Sequence, residues 1–169
     1  MSGGGPGALL AGRPLAGFGV RLGAYLLDGL LYGLVVLPFV IASIVLFAAG
    51  LDECTTNART DEIVCNGAED TGMIVAGVLV LVAGAIVAIV LYLRALARTG
   101  QTWGRRIVGI KVVNADTGGP PGWGKAIGRQ LFAAVISSNV LYLGYLWMLW
   151  DSQNQTWHDK VAGTLVVRS

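Results

Sequence analysis

Charge is scarce in this chain: of 169 residues only 13% are Asp, Glu, Lys or Arg, about half the share usual for soluble domains. A water-soluble fold of this length needs more polar surface than that, which argues against a soluble globular protein. Histidine occurs once and cysteine twice, too few for a multi-ligand metal centre, so neither a metal nor a cofactor is expected. No nucleophile elbow, no paired-histidine zinc motif and no phosphate-cradling Gly-x-x-x-x-Gly-Lys-Ser/Thr loop occurs. The run Gly100-Gln101-Thr102-Trp103-Gly104-Arg105-Arg106 superficially suggests a phosphate loop, but it follows an apolar helix and not a strand. The chain is not expected to be an enzyme. A formal charge of +2 is too small to indicate a nucleic-acid partner.

What the chain has in abundance is apolar sequence, 54% of all residues, with a mean hydropathy of +0.66. Residues 22–50 carry one charge, Asp28, and residues 71–93 carry none. A bilayer's hydrocarbon core, ~30 Å thick, takes about 20 helical residues, so both runs are long enough to cross, with spans placed at about 22–49 and 72–94. The first is too long for the apolar segment of a signal peptide and reads as a retained span. Pro38 within it is tolerated by a membrane helix. Residues 1–15, rich in Gly, Ala and Pro, read as a disordered tail, and residues 16–169 as a single membrane domain. Length supports one domain.

Charge placement sets the orientation. The loop over residues 51–70 holds Asp52, Glu53, Asp61, Glu62, Glu69 and Asp70 against Arg59 alone. The segment after the second span holds Arg94, Arg98, Arg105, Arg106, Lys111, Lys125 and Arg129 against Asp116. The positive-inside rule puts the basic segment and the N-terminus in the cytoplasm and loop 51–70 outside it. Cys54 and Cys65 both fall in that loop, where an oxidising compartment favours a disulfide; two free thiols, or a metal pair with nearby carboxylates, are the alternatives.

A third hydrophobic region, about 126–150, is interrupted by Ser137-Ser138-Asn139. It is either a third span or a helical hairpin. Residues 107–113 and 164–167 are strand-like, and isolated strands leave backbone groups unpaired, so the two are expected to pair in the cytoplasm. That pairing favours the hairpin, because the region must then enter and leave on one side. The expected fold class is an all-α membrane protein with two transmembrane helices, this third region and a small strand pair.

Candidate functional residues are few. Asp28 lies about two turns inside the first span, where charge costs roughly 2.5–3.5 kcal/mol on insertion scales. It reads either as an ion or proton site or as a buried anchor paired with an arginine or with backbone of the third region. Arg21 precedes it on nearly the same helix face. Gly29 and Gly33 form a GxxxG pattern suited to close helix packing. His158, next to Asp159, is a relay candidate with an unperturbed pKa near neutrality, or else a hydrogen-bonded tether; Asp151 is a further candidate. Trp103, Trp123, Trp147, Trp150 and Trp157 cluster near span boundaries, as interfacial aromatics do.

Arg21, Asp28, the block over residues 99–113 and the terminal block over residues 158–167 together resemble the RDD family of bacterial membrane proteins, with Asp159 as the second signature aspartate. The resemblance covers residues 16–168. His158 stands where many members have Gly, and Trp103 where a smaller residue is usual; the cysteine-bearing loop is outside the family pattern. The resemblance implies a multi-pass protein of the bacterial plasma membrane and points to transport, with monovalent cation/proton exchange as one activity. A non-catalytic accessory or scaffolding subunit of a membrane complex is the alternative. Its partners would be the lipid bilayer and either further copies of the chain or another membrane protein. A lipid-binding role for the basic residues between Arg94 and Arg106 is a third, but topology accounts for them more simply.

Overall fold

The structure, a computed structural model, describes residues 13–51, 54–56, 59–60, 63–65, 70–137 and 143–169. The two long apolar runs are helical: α1 is Phe18–Gly50, 33 residues, and α2 is Thr71–Thr99, 29 residues. Both are long and apolar enough to cross a membrane. Only 11% of the most apolar stretch of either helix is buried within the chain, which separates them from core helices of a soluble fold. Pro38 lies inside α1 without ending it. Asp70 starts α2, its Oδ1 accepting from the backbone N–H groups of Gly72 and Met73 at 2.9 and 3.2 Å. This is the side-chain capping that a helix's first free amides require.

The chain divides into two compact units: residues up to Tyr32 together with Val90–Ser169, and Gly33–Ile89. In the second unit, α1 and α2 pack through phenylalanines set against glycines. A Cβ at Gly84 would lie 2.6 Å from Phe39 Cβ, and one at Gly77 2.8 Å from Phe47 Cε1. Ser43 Oγ donates to the Gly77 carbonyl at 2.9 Å, satisfying a buried hydroxyl. These glycines make the close approach within the chain, whereas a Cβ at Gly29 or Gly33 would meet nothing within 4 Å. In the loop, β1 (Cys54–Thr56) pairs antiparallel with β2 (Ile63–Cys65), placing Cys54 opposite Cys65. The side chains of both cysteines, and the acidic residues 52, 53, 61, 62 and 69, lie outside the described residues.

In the first unit, a short helix α3 (Trp103–Ile107) leads to β3 (Ile110–Asn114). Helix α4 (Gly122–Phe132) continues into a π-helical turn at Ala133–Ser137. Then come α5 (Leu143–Leu146), a 3-10 turn at Trp147–Leu149, α6 (Trp157–Ala162) and β4 (Thr164–Arg168). The expected strand pair is present: β3 and β4 are antiparallel, from Ile110 opposite Arg168 to Asn114 opposite Thr164. Ile110, Val112, Val113, Val166 and Val167 are buried there with Leu96. Leu15 bridges Val167, and Pro14 O accepts from Arg168 N at 3.0 Å.

Residues 126–150 contain no continuous helix long enough to cross, among the described residues. Both limbs, α4 with its π-helical turn and α5, pack on α6. The polar break at residues 138 and 139 lies outside the described residues.

Candidate functional site

The site grows from the first turn of α6. Thr156 has the extended backbone of an N-cap (φ −79°, ψ 167°), and Asp159 stands three residues on, completing a capping box. Asp159 N donates to Thr156 Oγ1 at 3.4 Å, and Thr156 N donates to Asp159 Oδ2 at 3.3 Å. Such reciprocal bonds satisfy two amides that a helix start leaves free. The same carboxylate is fully buried and takes two guanidinium groups. Arg21 Nη1 of α1 donates to Oδ2 at 2.8 Å, and Arg129 Nε of α4 donates to Oδ1 at 2.8 Å. Thr164 Oγ1 at the start of β4 donates to Oδ1 at 3.3 Å. One side chain therefore joins α1, α4, α6 and β4. Burial alone would raise its pKa; Arg129, His158 and Arg21, with the Thr156 hydrogen bond, outweigh burial and hold the carboxyl well below the usual range.

Asp28 serves a different partner. It is 6% exposed and accepts from Thr102 Oγ1 at 2.5 Å and from Gly104 N at 2.7 Å. Thr102 is the N-cap residue of α3 and makes no side-chain cap bond of its own there. The α1 carboxylate caps α3 from outside, where the helix's partial positive charge also favours an anion. The approach requires glycine at position 104, since a Cβ there would lie 2.5 Å from Ala24 O and 2.6 Å from Asp28 N. Around this contact Tyr32 stacks on Trp103 (centroids 4.7 Å apart, planes 9° apart). Arg105 Nη2 donates to Tyr92 Oη at 3.0 Å. Burial opposes the Arg105 charge, but Tyr92 and Asp28 outweigh it and raise its pKa.

The structure brings Arg21 and Asp159 together and assigns Asp28 to the Thr102 hydroxyl and the Gly104 amide, so the helix-face proximity of Arg21 and Asp28 produces no ion pair. His158 is 3% exposed; its Nε2 lies 3.4 Å from Arg129 Nη2, and its ring meets Tyr145 edge-on at 5.1 Å. Burial first, and then Arg129, push its pKa down to about 3. A ring held neutral through the physiological range packs in the manner of a tether. Asp151 stands apart from this network, in an ion pair with Lys160, and its Oδ2 accepts from Gln153 N and Gln155 N at 3.2 and 3.0 Å. Against burial, which would raise it, Lys160 and those amides hold the Asp151 carboxyl below its ordinary value. No group of three His, Cys, Asp or Glu side chains able to hold a metal occurs among the described residues.

Sequence reasoning missed Arg129, Arg105, Thr102 and Thr156. Thr156-x-x-Asp159 has capping-box spacing and was findable. Arg129 lies near the start of the third hydrophobic region, a position where an interfacial cation is expected without any partner.

The pattern that defines the RDD family matches residues 15–163. The Mycobacterium tuberculosis protein named "Proline-rich antigen homolog" is 38% identical over 68 residues, 40% of this chain and 28% of that protein. "Proline-rich antigen" of Mycobacterium leprae is 37% identical over 67 residues, 40% of this chain and 26% of that protein. The chain thus matches little more than a quarter of these mycobacterial relatives. Bacillus subtilis YxaI, whose name assigns no activity, is 28% identical over 155 residues, 90% of this chain and 96% of that protein. No solved structure matches significantly.

Proposed function

Since the chain belongs to the RDD family, we propose that it works as a non-catalytic accessory or scaffolding subunit of a membrane complex. The observation that carries this reading is the employment of both signature aspartates. Asp159 binds two arginines and closes a capping box, and Asp28 caps α3. A carboxylate that carries ions must exchange its ligands, whereas these two hold elements of the fold in place. Monovalent cation/proton exchange, the activity the family resemblance brings forward, would require Asp28 to release α3 in each cycle. The bacterial plasma membrane is the proposed location, with the N-terminus cytoplasmic and residues 51–70 outside. Charge asymmetry supports that orientation, and the β3–β4 pairing supports a third region that returns to its own side. The register of Cys54 opposite Cys65 suits a disulfide in that outer loop, since directly paired residues lie within the Cα span a disulfide bridges. Thiol alkylation before and after reduction tests the bond.

Reconstitution in liposomes decides between the two activities. The expected result is no proton flux on addition of sodium, potassium or lithium, together with a stoichiometric membrane-protein partner on purification in mild detergent. Cation-driven proton flux that disappears in a correctly inserted Asp28→Asn protein would overturn the proposal.

A further inference from the structure

One cavity of about 460 Å³ lies within the first unit, and three arginines, Arg21, Arg105 and Arg129, line it together with His158. Each of these side chains has a buried nitrogen with no hydrogen-bond partner: Arg21 Nη2, Arg105 Nη1, Arg129 Nη1 and His158 Nδ1. Arg105 and Arg129 are 5% exposed and His158 3%. Buried donors are nearly always satisfied, and a cluster of four that are not is a signature of a missing acceptor. The charges point the same way. The buried guanidinium groups of Arg105 and Arg129, together with that of Arg21, whose side chain is 11% exposed, face two buried carboxylates, Asp28 and Asp159, which leaves one cation in excess. An uncompensated buried cation is strongly unfavourable, and one anion would remove the excess. Guanidinium nitrogens are suited to oxyanions, with charge-assisted bonds about twice as strong as neutral ones. The remaining walls are apolar, among them Phe18, Leu22, Leu146 and Met148.

We propose that this cavity binds a singly charged oxyanion, phosphate ester or carboxylate, attached to an apolar chain. The oxyanion meets the unpartnered guanidinium nitrogens, and the chain lies along Phe18, Leu22 and Met148. Membrane phospholipids with one negative charge and free fatty acids both carry this chemistry. Of the basic residues between Arg94 and Arg106 only Arg105 lines the site, while Arg94, Arg98 and Arg106 are exposed, and the inference goes beyond the scaffolding reading, which does not need it. Neutral His158 supports it by adding a donor without adding a second positive charge to be balanced.

The full chain in a neutral detergent is titrated with dioctanoyl phosphatidylglycerol, dioctanoyl phosphatidylcholine, octanoate and inorganic phosphate, and binding is read by native mass spectrometry and thermal shift. Saturable binding of phosphatidylglycerol or octanoate, with none of phosphatidylcholine, is expected. The tighter of the two anions identifies the source. Arg105→Gln should weaken binding by about tenfold or more, as loss of a charged hydrogen bond does. Leu22→Trp, at a half-exposed wall, keeps every charge and should weaken binding by obstructing the chain, so it tests the site even if Arg105→Gln misfolds. Equal binding of phosphatidylcholine, inorganic phosphate matching phosphatidylglycerol, or unchanged affinity in a folded Leu22→Trp protein would overturn the proposal.

Discussion

Replacing Asp159 by Asn removes one charge from the most connected side chain of the site while keeping its shape. The Asn carbonyl can still accept from Thr156 N, so the capping box is largely preserved and the charge is isolated as the variable. Two guanidinium groups then lose their carboxylate at once: Arg129, 5% exposed, and Arg21, whose side chain is 11% exposed. Removing one partner of a buried ion pair costs about 3–5 kcal/mol, mostly for the charge left behind. For a domain of this size, 1 kcal/mol moves the melting temperature by roughly 2–4 °C, so the expected drop is about 6–20 °C. Trp157 is in α6 and Trp147 lies 5.7 Å from it, so intrinsic fluorescence reports on the region directly. Asp28→Asn keeps an acceptor for Gly104 N and leaves no directly bonded guanidinium behind, so its loss should be smaller. If Asp159→Asn melts within about 2 °C of wild type, Asp159 is not the organising charge and the reasoning fails.

Two other perturbations test neighbouring contacts. Gly104→Ala places a methyl against the α1 backbone and should destabilise by about 1–3 kcal/mol, as overpacking does; an unchanged denaturation midpoint would show that α3 can retreat from α1. His158 has its folded pKa pushed down from 6.5 to about 3, so the unfolded chain binds the proton first as pH falls. Its contribution is present above about pH 6.5 and is lost as pH falls toward 3, with a slope of at most roughly 1.4 kcal/mol per pH unit. His158→Gln should flatten melting temperature against pH across that window, and an unaltered profile would assign the acid sensitivity to other groups.

The helices and the strand pair were legible because each rests on a local or composition-level signal. Two long apolar runs carrying a single charge have the length and composition of membrane-crossing helices, and two strand-like runs leave backbone groups that pairing with each other satisfies. Asp28 was legible as an anomaly but not as a cap. Its partner is the start of a five-residue helix 74 positions later, and no periodicity links the two. Arg129 was hidden for a related reason, since an arginine at the edge of an apolar run already has a sufficient explanation. The glycine pattern at Gly29 and Gly33 drew notice by its spacing, while Gly77 and Gly84, seven apart, do the packing within the chain. Close packing depends on which side chain stands opposite, here Phe47 and Phe39, and spacing within one helix carries no information about that.

The pairing of β4 with both β3 and the segment at Pro14–Leu15 has a consequence for how the protein is made. Contacts this far apart in sequence form late, because their closure entropy must be met before they contribute. During translation α1 and α2 emerge and can insert long before Thr164–Arg168 leaves the ribosome. Until then Asp159 lacks Thr164, the β3 edge is unpaired and Pro14 and Leu15 have nothing to hold. A chain shortened to end before Thr164 would therefore keep the two long helices and leave the β3 edge and the Pro14–Leu15 segment without their partner.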